Sequence, residues 1–177
     1  MIREWVLAAL LALPVSKYDR AADPTLKRAQ LETIADAISD AATTARWSGP
    51  PRELAALLIA TAYHESSFAL HVHGGQCRPH ECDGGRARGL WQQQERSTSS
   101  RLAWLLLAGL DAEATRLAAH EAARALIRAR GTCRSFEREG ADWLPMTFSA
   151  YAGRGCKAAF PGQSSRVNAF RRLVELW

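Results

Sequence analysis

The chain has 177 residues, 47% hydrophobic and 23% charged, which excludes a disordered or fibrous chain and suits one ordinary domain with its own core. Lys and Arg outnumber Asp and Glu 23 to 18, and the formal charge of +5 favours a polyanionic partner such as nucleic acid, acidic lipid or an anionic cell-wall polymer. The basic residues are scattered among Ala and Leu rather than run together, which argues against a nucleic-acid partner.

Residues 5–15 form an apolar stretch of signal-peptide length, too short to span a bilayer. Glu4 spoils a basic leader and no small-x-small cleavage site follows Pro14, so the stretch reads as a packed N-terminal helix. After Pro24, Leu26, Ala29, Leu31, Ile34, Ala37 and Ile38 recur at three and four residue steps and predict an amphipathic helix ending near Trp47. Ser48-Gly49-Pro50-Pro51 is a linker and a helix start, and the next helix is expected to reach Ser67. This divides the chain into a helical extension, residues 1–48, packed on a single core unit, residues 49–177.

Gly74, Gly75, Pro79, Gly84, Gly85 and Gly89 then interrupt the pattern and predict a long loop with a small hairpin, of the kind that usually carries function. Helical patterns resume over residues 97–110 and 111–130, with Gly131 as a C-cap, and shorter helices are expected over 135–140, 142–152 and 164–177. The apolar run at 102–110 is too short to cross a bilayer, and no run of alternating β-branched residues marks a large sheet. The expected class is mainly α, with no stable membrane insertion.

Four cysteines, Cys77, Cys82, Cys133 and Cys156, suit two local disulfides, Cys77 with Cys82 and Cys133 with Cys156, in an oxidising compartment. A competing reading takes His71, His73, Cys77, His80 and Cys82 as a tetrahedral zinc site, although the spacing is not a standard knuckle.

In the helix that begins at Pro51, Leu54, Leu57, Leu58, Thr61, Ala62 and Phe68 follow one face, and Glu65 falls on the same stripe. Burial there, together with the negative end of the helix dipole, raises a carboxyl pKa, as a general acid requires. The plainer alternative is a glutamate that turns into solvent at the helix end.

Glu65-Ser66-Ser67-Phe68, then Gly89-Leu90-Trp91-Gln92, then Ala150-Tyr151-Ala152-Gly153 resembles the ordered motif set of the lysozyme-like superfamily, E-S-x-F, G-L-M-Q and A-Y-N-x-G. The nearest resemblance is to lytic transglycosylases of the soluble type and goose-type lysozymes, over residues 50–156. It implies a lysozyme-like helical fold with the glycine-rich loop or hairpin beside a catalytic cleft. It also implies cleavage of the β-1,4 bond between N-acetylmuramic acid and N-acetylglucosamine in peptidoglycan, without a cofactor. Glu65 matches the catalytic acid, and Ser66, Trp91, Gln92 and Tyr151 match positions around the substrate. Trp91 replaces the motif's Met and keeps an apolar face for sugar, whereas Ala152 replaces its Asn and loses a polar contact.

A second carboxylate decides the chemistry. Asp83 lies at the offset where goose-type lysozymes carry an acidic residue that helps position water, and it also reads as a turn residue. The other acidic position of that family is Gln94 here, while Glu81 and Glu95 have no motif support. With Glu65 alone, the resemblance implies a lytic transglycosylase giving 1,6-anhydro products, favoured over hydrolysis with Asp83. Such a protein works in the periplasm or at the cell wall, alone or within a larger phage or envelope machine. The alternative is a non-catalytic lysozyme-like module that binds wall or serves as a structural part.

Overall fold

The computed structural model describes residues 2–138, 142–156 and 163–175. The chain is mainly helical, and the helices form in the order α1 (Ile2–Ala12), α2 (Pro24–Thr44), α3 (Pro51–Ser66), α4 (Leu70–His73), α5 (Arg101–Leu105), α6 (Ala112–Thr132), α7 (Arg134–Arg138), α8 (Trp143–Tyr151) and α9 (Gln163–Glu175). Between α4 and α5, β1 (Ala87–Arg88) pairs antiparallel with β2 (Gln93–Gln94), in the register Ala87 to Gln94 and Arg88 to Gln93. The sequence-expected helix ends at 140 and 177 lie outside the described residues.

The central element is α3. Pro51 starts it without losing a hydrogen bond, because the first-turn N–H groups have no intrahelical partner. No charge occurs between Leu54 and Tyr63, and every residue from Leu54 to Ala62 has 0% exposure. The single stripe read from the sequence is therefore too narrow. Ala55, Ala56, Ile59 and Ala60 bury the other faces against α1, α2, α6 and α9. Truncating Leu57 or Leu58 in such a site costs about 2–5 kcal/mol.

Residues 1–48 also supply the core. Val6, Leu10, Ile34 and Ile38 join the same hydrophobic cluster as Leu58 and Phe148, and α2 packs on α6 and α3. Gly131 differs from its expected role: α6 runs through it to Thr132, whose hydroxyl donates to the Arg128 carbonyl, and Cys133 is the C-cap. The helix expected over 97–110 shrinks to α5, because the chain must turn to insert Leu107 beneath the hairpin. Gly89 has a φ of +67°, and a Cβ there would stand 2.4 Å from the Leu107 carbonyl oxygen. Among the described residues, no helix is long and apolar enough to cross a membrane.

Two non-glycine residues after α3, Ser67 and Phe68, adopt left-handed φ values of 49° and 54°. Such conformations cost about 1–2 kcal/mol each and need compensation. Compensation comes from a buried polar network around the Phe68 carbonyl. Lys27 Nζ donates to it at 2.5 Å, to Asp19 at 2.7 Å and to Gln30 Oε1 at 2.8 Å. Gln30 Nε2 donates to the same carbonyl at 3.1 Å and to His73 Nδ1 at 3.1 Å. His73 Nε2–H then donates to Thr115 Oγ1 at 2.8 Å, since that hydroxyl gives its own proton to the Asp111 carbonyl. Asp19 also accepts from the Leu70 N–H. Only neutral His73 with its proton on Nε2 satisfies this chain.

Burial, then the nearby Lys27 charge, lower the His73 pKa to about 4, against a weaker opposing influence of Asp111. The unfolded chain takes up this proton first as pH falls, so the stabilisation is complete above the unfolded value of about 6.5 and is lost toward pH 4. Between pH 7 and pH 4.5 the loss attributable to His73 is about 2–3 kcal/mol. Urea unfolding of the parent and of His73→Gln at both pH values measures it; equal pH dependence in the two proteins would contradict the assignment.

Candidate active site

The polypeptide after α3 folds back over the C-terminal end of that helix and, with α8 and α9, encloses a cleft of about 680 Å³. Glu65, in the last turn of α3, lies in its wall beside Gln92 from the hairpin, Tyr151 from α8 and Arg166 from α9. Each of the three sequence motifs thus brings at least one side chain to the same cleft.

Glu65 is 21% exposed and forms an ion pair with Arg166, whose guanidinium Nη2 donates to Oε1. Burial pushes the Glu65 carboxyl up, and the Arg166 charge and hydrogen bond pull it back less strongly. Its proton affinity stays above the usual carboxylate range, in the direction read from the sequence. The plainer alternative of a solvated glutamate does not describe this side chain.

Tyr151 donates its phenolic hydroxyl to the Trp91 carbonyl at 2.9 Å. Burial first, then the nearby Glu65 charge, hold the phenol well above its usual range despite Arg166, so it keeps its proton. His64, exposed at the rim, shares a 2.8 Å hydrogen bond between Nδ1 and the Ser165 hydroxyl. Partial enclosure of the ring by the cleft wall and then the Arg166 charge lower it to about 4, which leaves the ring neutral at neutral pH.

Gln92 reaches the cleft from a left-handed backbone, with φ of 46°, and its Nε2 donates to the Gly89 carbonyl at 3.0 Å. Asp83 is also in the lining, but its side chain is half exposed and already engaged. It accepts from Gln94 Nε2 at 2.7 Å and from Arg86 at 3.2 Å. The two positions compared with the goose-type acids therefore bond to each other. Glu81 is in the lining too, held by the Arg78 N–H and His71.

Ser66 and Trp91 do not belong with the cleft residues. Ser66 is 9% exposed; its hydroxyl donates to the Ala62 carbonyl and accepts from the Phe68 N–H, so it ends the helix. Trp91 has 0% exposure and its indole N–H donates to the Leu58 carbonyl, which makes it core rather than a sugar platform. Its part in the site is its carbonyl, the acceptor for Tyr151.

Both expected disulfides are present. Cys77–Cys82 closes the glycine loop with Cα atoms 6.2 Å apart, and Cys133–Cys156 joins the end of α6 to the segment after α8 with 5.4 Å. The zinc reading of the loop fails on its own ligands: both thiols are spent, and both His73 nitrogens are bonded to Gln30 and Thr115. Among the described residues, no group of three or more His, Cys, Asp or Glu side chains is placed to hold a metal ion.

Arg166 and Gln93 are among the lining residues that no sequence motif marks. Arg166 sits on the apolar stripe Val167, Phe170 and Leu173 of α9, the same misfit that drew notice to Glu65. Gln93 is 3% exposed, and neither amide atom has a hydrogen-bond partner among the described residues. No spacing in the sequence marks it, because the left-handed Gln92 breaks the alternation just before β2. No protein-family model, curated protein or solved structure matches the chain.

Proposed function

We propose that the protein cleaves peptidoglycan glycan strands at the β-1,4 bond between N-acetylmuramic acid and N-acetylglucosamine, within a lysozyme-like helical fold. One observation carries the reading: Glu65, Gln92 and Tyr151, one from each block of the resembled motif set, line a single cleft, and its carboxyl has raised proton affinity. Glu65 protonates the leaving glycosidic oxygen as the C–O bond breaks, and an oxocarbenium-like centre develops at C1. The substrate's own acetamido oxygen shields that centre. The Glu65 carboxylate then takes the proton of the 6-hydroxyl as its oxygen bonds to C1, giving a 1,6-anhydro end.

The condition of Asp83 favours this lytic transglycosylase course over hydrolysis. A carboxylate held by Gln94 and Arg86 and half exposed at the rim is poorly placed to activate a water. The positive formal charge suits an anionic wall, and the disulfides suit work outside the cytosol.

Glu65→Gln keeps shape and hydrogen bonding but removes proton transfer, so clearance of a peptidoglycan suspension is expected to fall at least about a hundredfold. Clearance at the parent rate would overturn the assignment, and wall binding by the parent without release of fragments would favour the non-catalytic module. Gln93→Leu is expected to raise the thermal midpoint by removing an unpaired buried amide, and a lower midpoint would contradict that reading of the side chain.

A further inference from the structure

Glu65 lies in the last turn of α3 and Arg166 in the first turn of α9, so each charge sits at the wrong end of its helix dipole. Each is also costly to desolvate: the Arg166 side chain is 6% exposed, on a stripe otherwise made by Val167, Phe170 and Leu173. Neither charge favours its own helix, and each gains an ion pair with the other. None of the three resembled motifs includes a residue of α9.

The charged groups around Glu65 narrow the question to this pair. On its own helix, His64 is neutral and bonded to Ser165. From α8, Tyr151 keeps its proton and gives its hydrogen bond to Trp91. From the loop and hairpin, Glu81 is held by Arg78 N–H and His71, and Asp83 by Gln94 and Arg86. Arg96 and Arg154 line the same cleft, while among the described residues Arg166 is the cation that donates directly to the Glu65 carboxyl.

We infer that Arg166 is the positioning residue of the proposed cleavage: by donating to Oε1 it assigns the acidic proton to Oε2, fixes the direction of that oxygen and stabilises the carboxylate left when the proton departs. This rests on the reading of Glu65 as general acid. The carbonyl oxygen of a protonated carboxyl accepts as a carboxylate oxygen does, so the Arg166 bond to Oε1 persists in both states. Oε2–H passes its proton to the glycosidic oxygen as that bond breaks, and Oε2 later takes the proton of the 6-hydroxyl. Arg166 is unchanged throughout. Burial keeps the acid protonated before the step, and Arg166 favours the ion after it; the two influences act in opposite senses on one group.

The test compares the parent with Arg166→Met, which keeps length and apolar packing, and Arg166→Lys, which keeps the charge. Two readouts are used: the pH dependence of kcat on peptidoglycan, and a substrate-free carbon NMR titration of the Glu65 side-chain carboxyl. In Arg166→Met the upper limb of the pH profile and the NMR midpoint both move to higher pH, and kcat falls about a hundredfold through lost orientation. Arg166→Lys leaves both midpoints near the parent. A residue that merely packs would lower kcat or stability in Arg166→Met without moving either midpoint, and coincident midpoints overturn the inference. An inactive parent whose Glu65 midpoint still rises in Arg166→Met overturns the cleavage reading instead, and with it the catalytic meaning of the pair.

Discussion

The hydrogen bonds from Lys27 and Gln30 to the Phe68 carbonyl determine where α3 stops and so where Glu65 stands. An α-helix leaves its last carbonyls unpaired, and ordinary endings turn them to water or use a glycine in the left-handed region. Here Ser67 and Phe68 take that conformation without being glycine, and the carbonyl that results is drawn into the core by a charged amine. Asp19 balances that amine, and His73 and Thr115 carry the chain of donors to α6. The N-terminal helices are thereby joined to the C-terminal end of α3 by specific bonds as well as by packing. A change in the first third of the chain has a direct route to the cleft.

Past this ending, the cleft balances two influences on one carboxyl. The fully buried body of α3 brings Glu65 into an environment that disfavours charge, and α9 supplies a guanidinium that favours it. Tyr151 ties α8 to the hairpin turn through the Trp91 carbonyl. The Cys133–Cys156 disulfide ties the segment that follows α8 back to α6. The Cys77–Cys82 bridge closes the loop that ends in Asp83 and the hairpin.

Much of the helical order was legible in the sequence, because Pro24, Pro51, Asp111 and Asp142 punctuate strong apolar periodicity. Glu65 was legible as a misfit on an apolar face, and Arg166 carried the same mark unread in a helix that no motif covered. Trp91 was misplaced because a motif position says nothing about side-chain direction, and its indole turned inward to the Leu58 carbonyl. Ser66 matches a motif position, yet its hydroxyl is spent on the backbone of its own turn. The Lys27 network could not be read at all. Its bonds from Lys27 and Gln30 to Phe68 and His73, and from His73 to Thr115, span 38 to 43 positions, separations set by how α2, α3 and α6 pack.

Chemical identity of the product tests the central claim most directly, since Glu65 working alone leaves a distinctive end. Mass spectrometry of purified peptidoglycan incubated with the protein should show muropeptides terminating in 1,6-anhydro-N-acetylmuramic acid. Undigested wall would contradict the account, and hydrated reducing ends in place of anhydro ends would contradict its single-acid form.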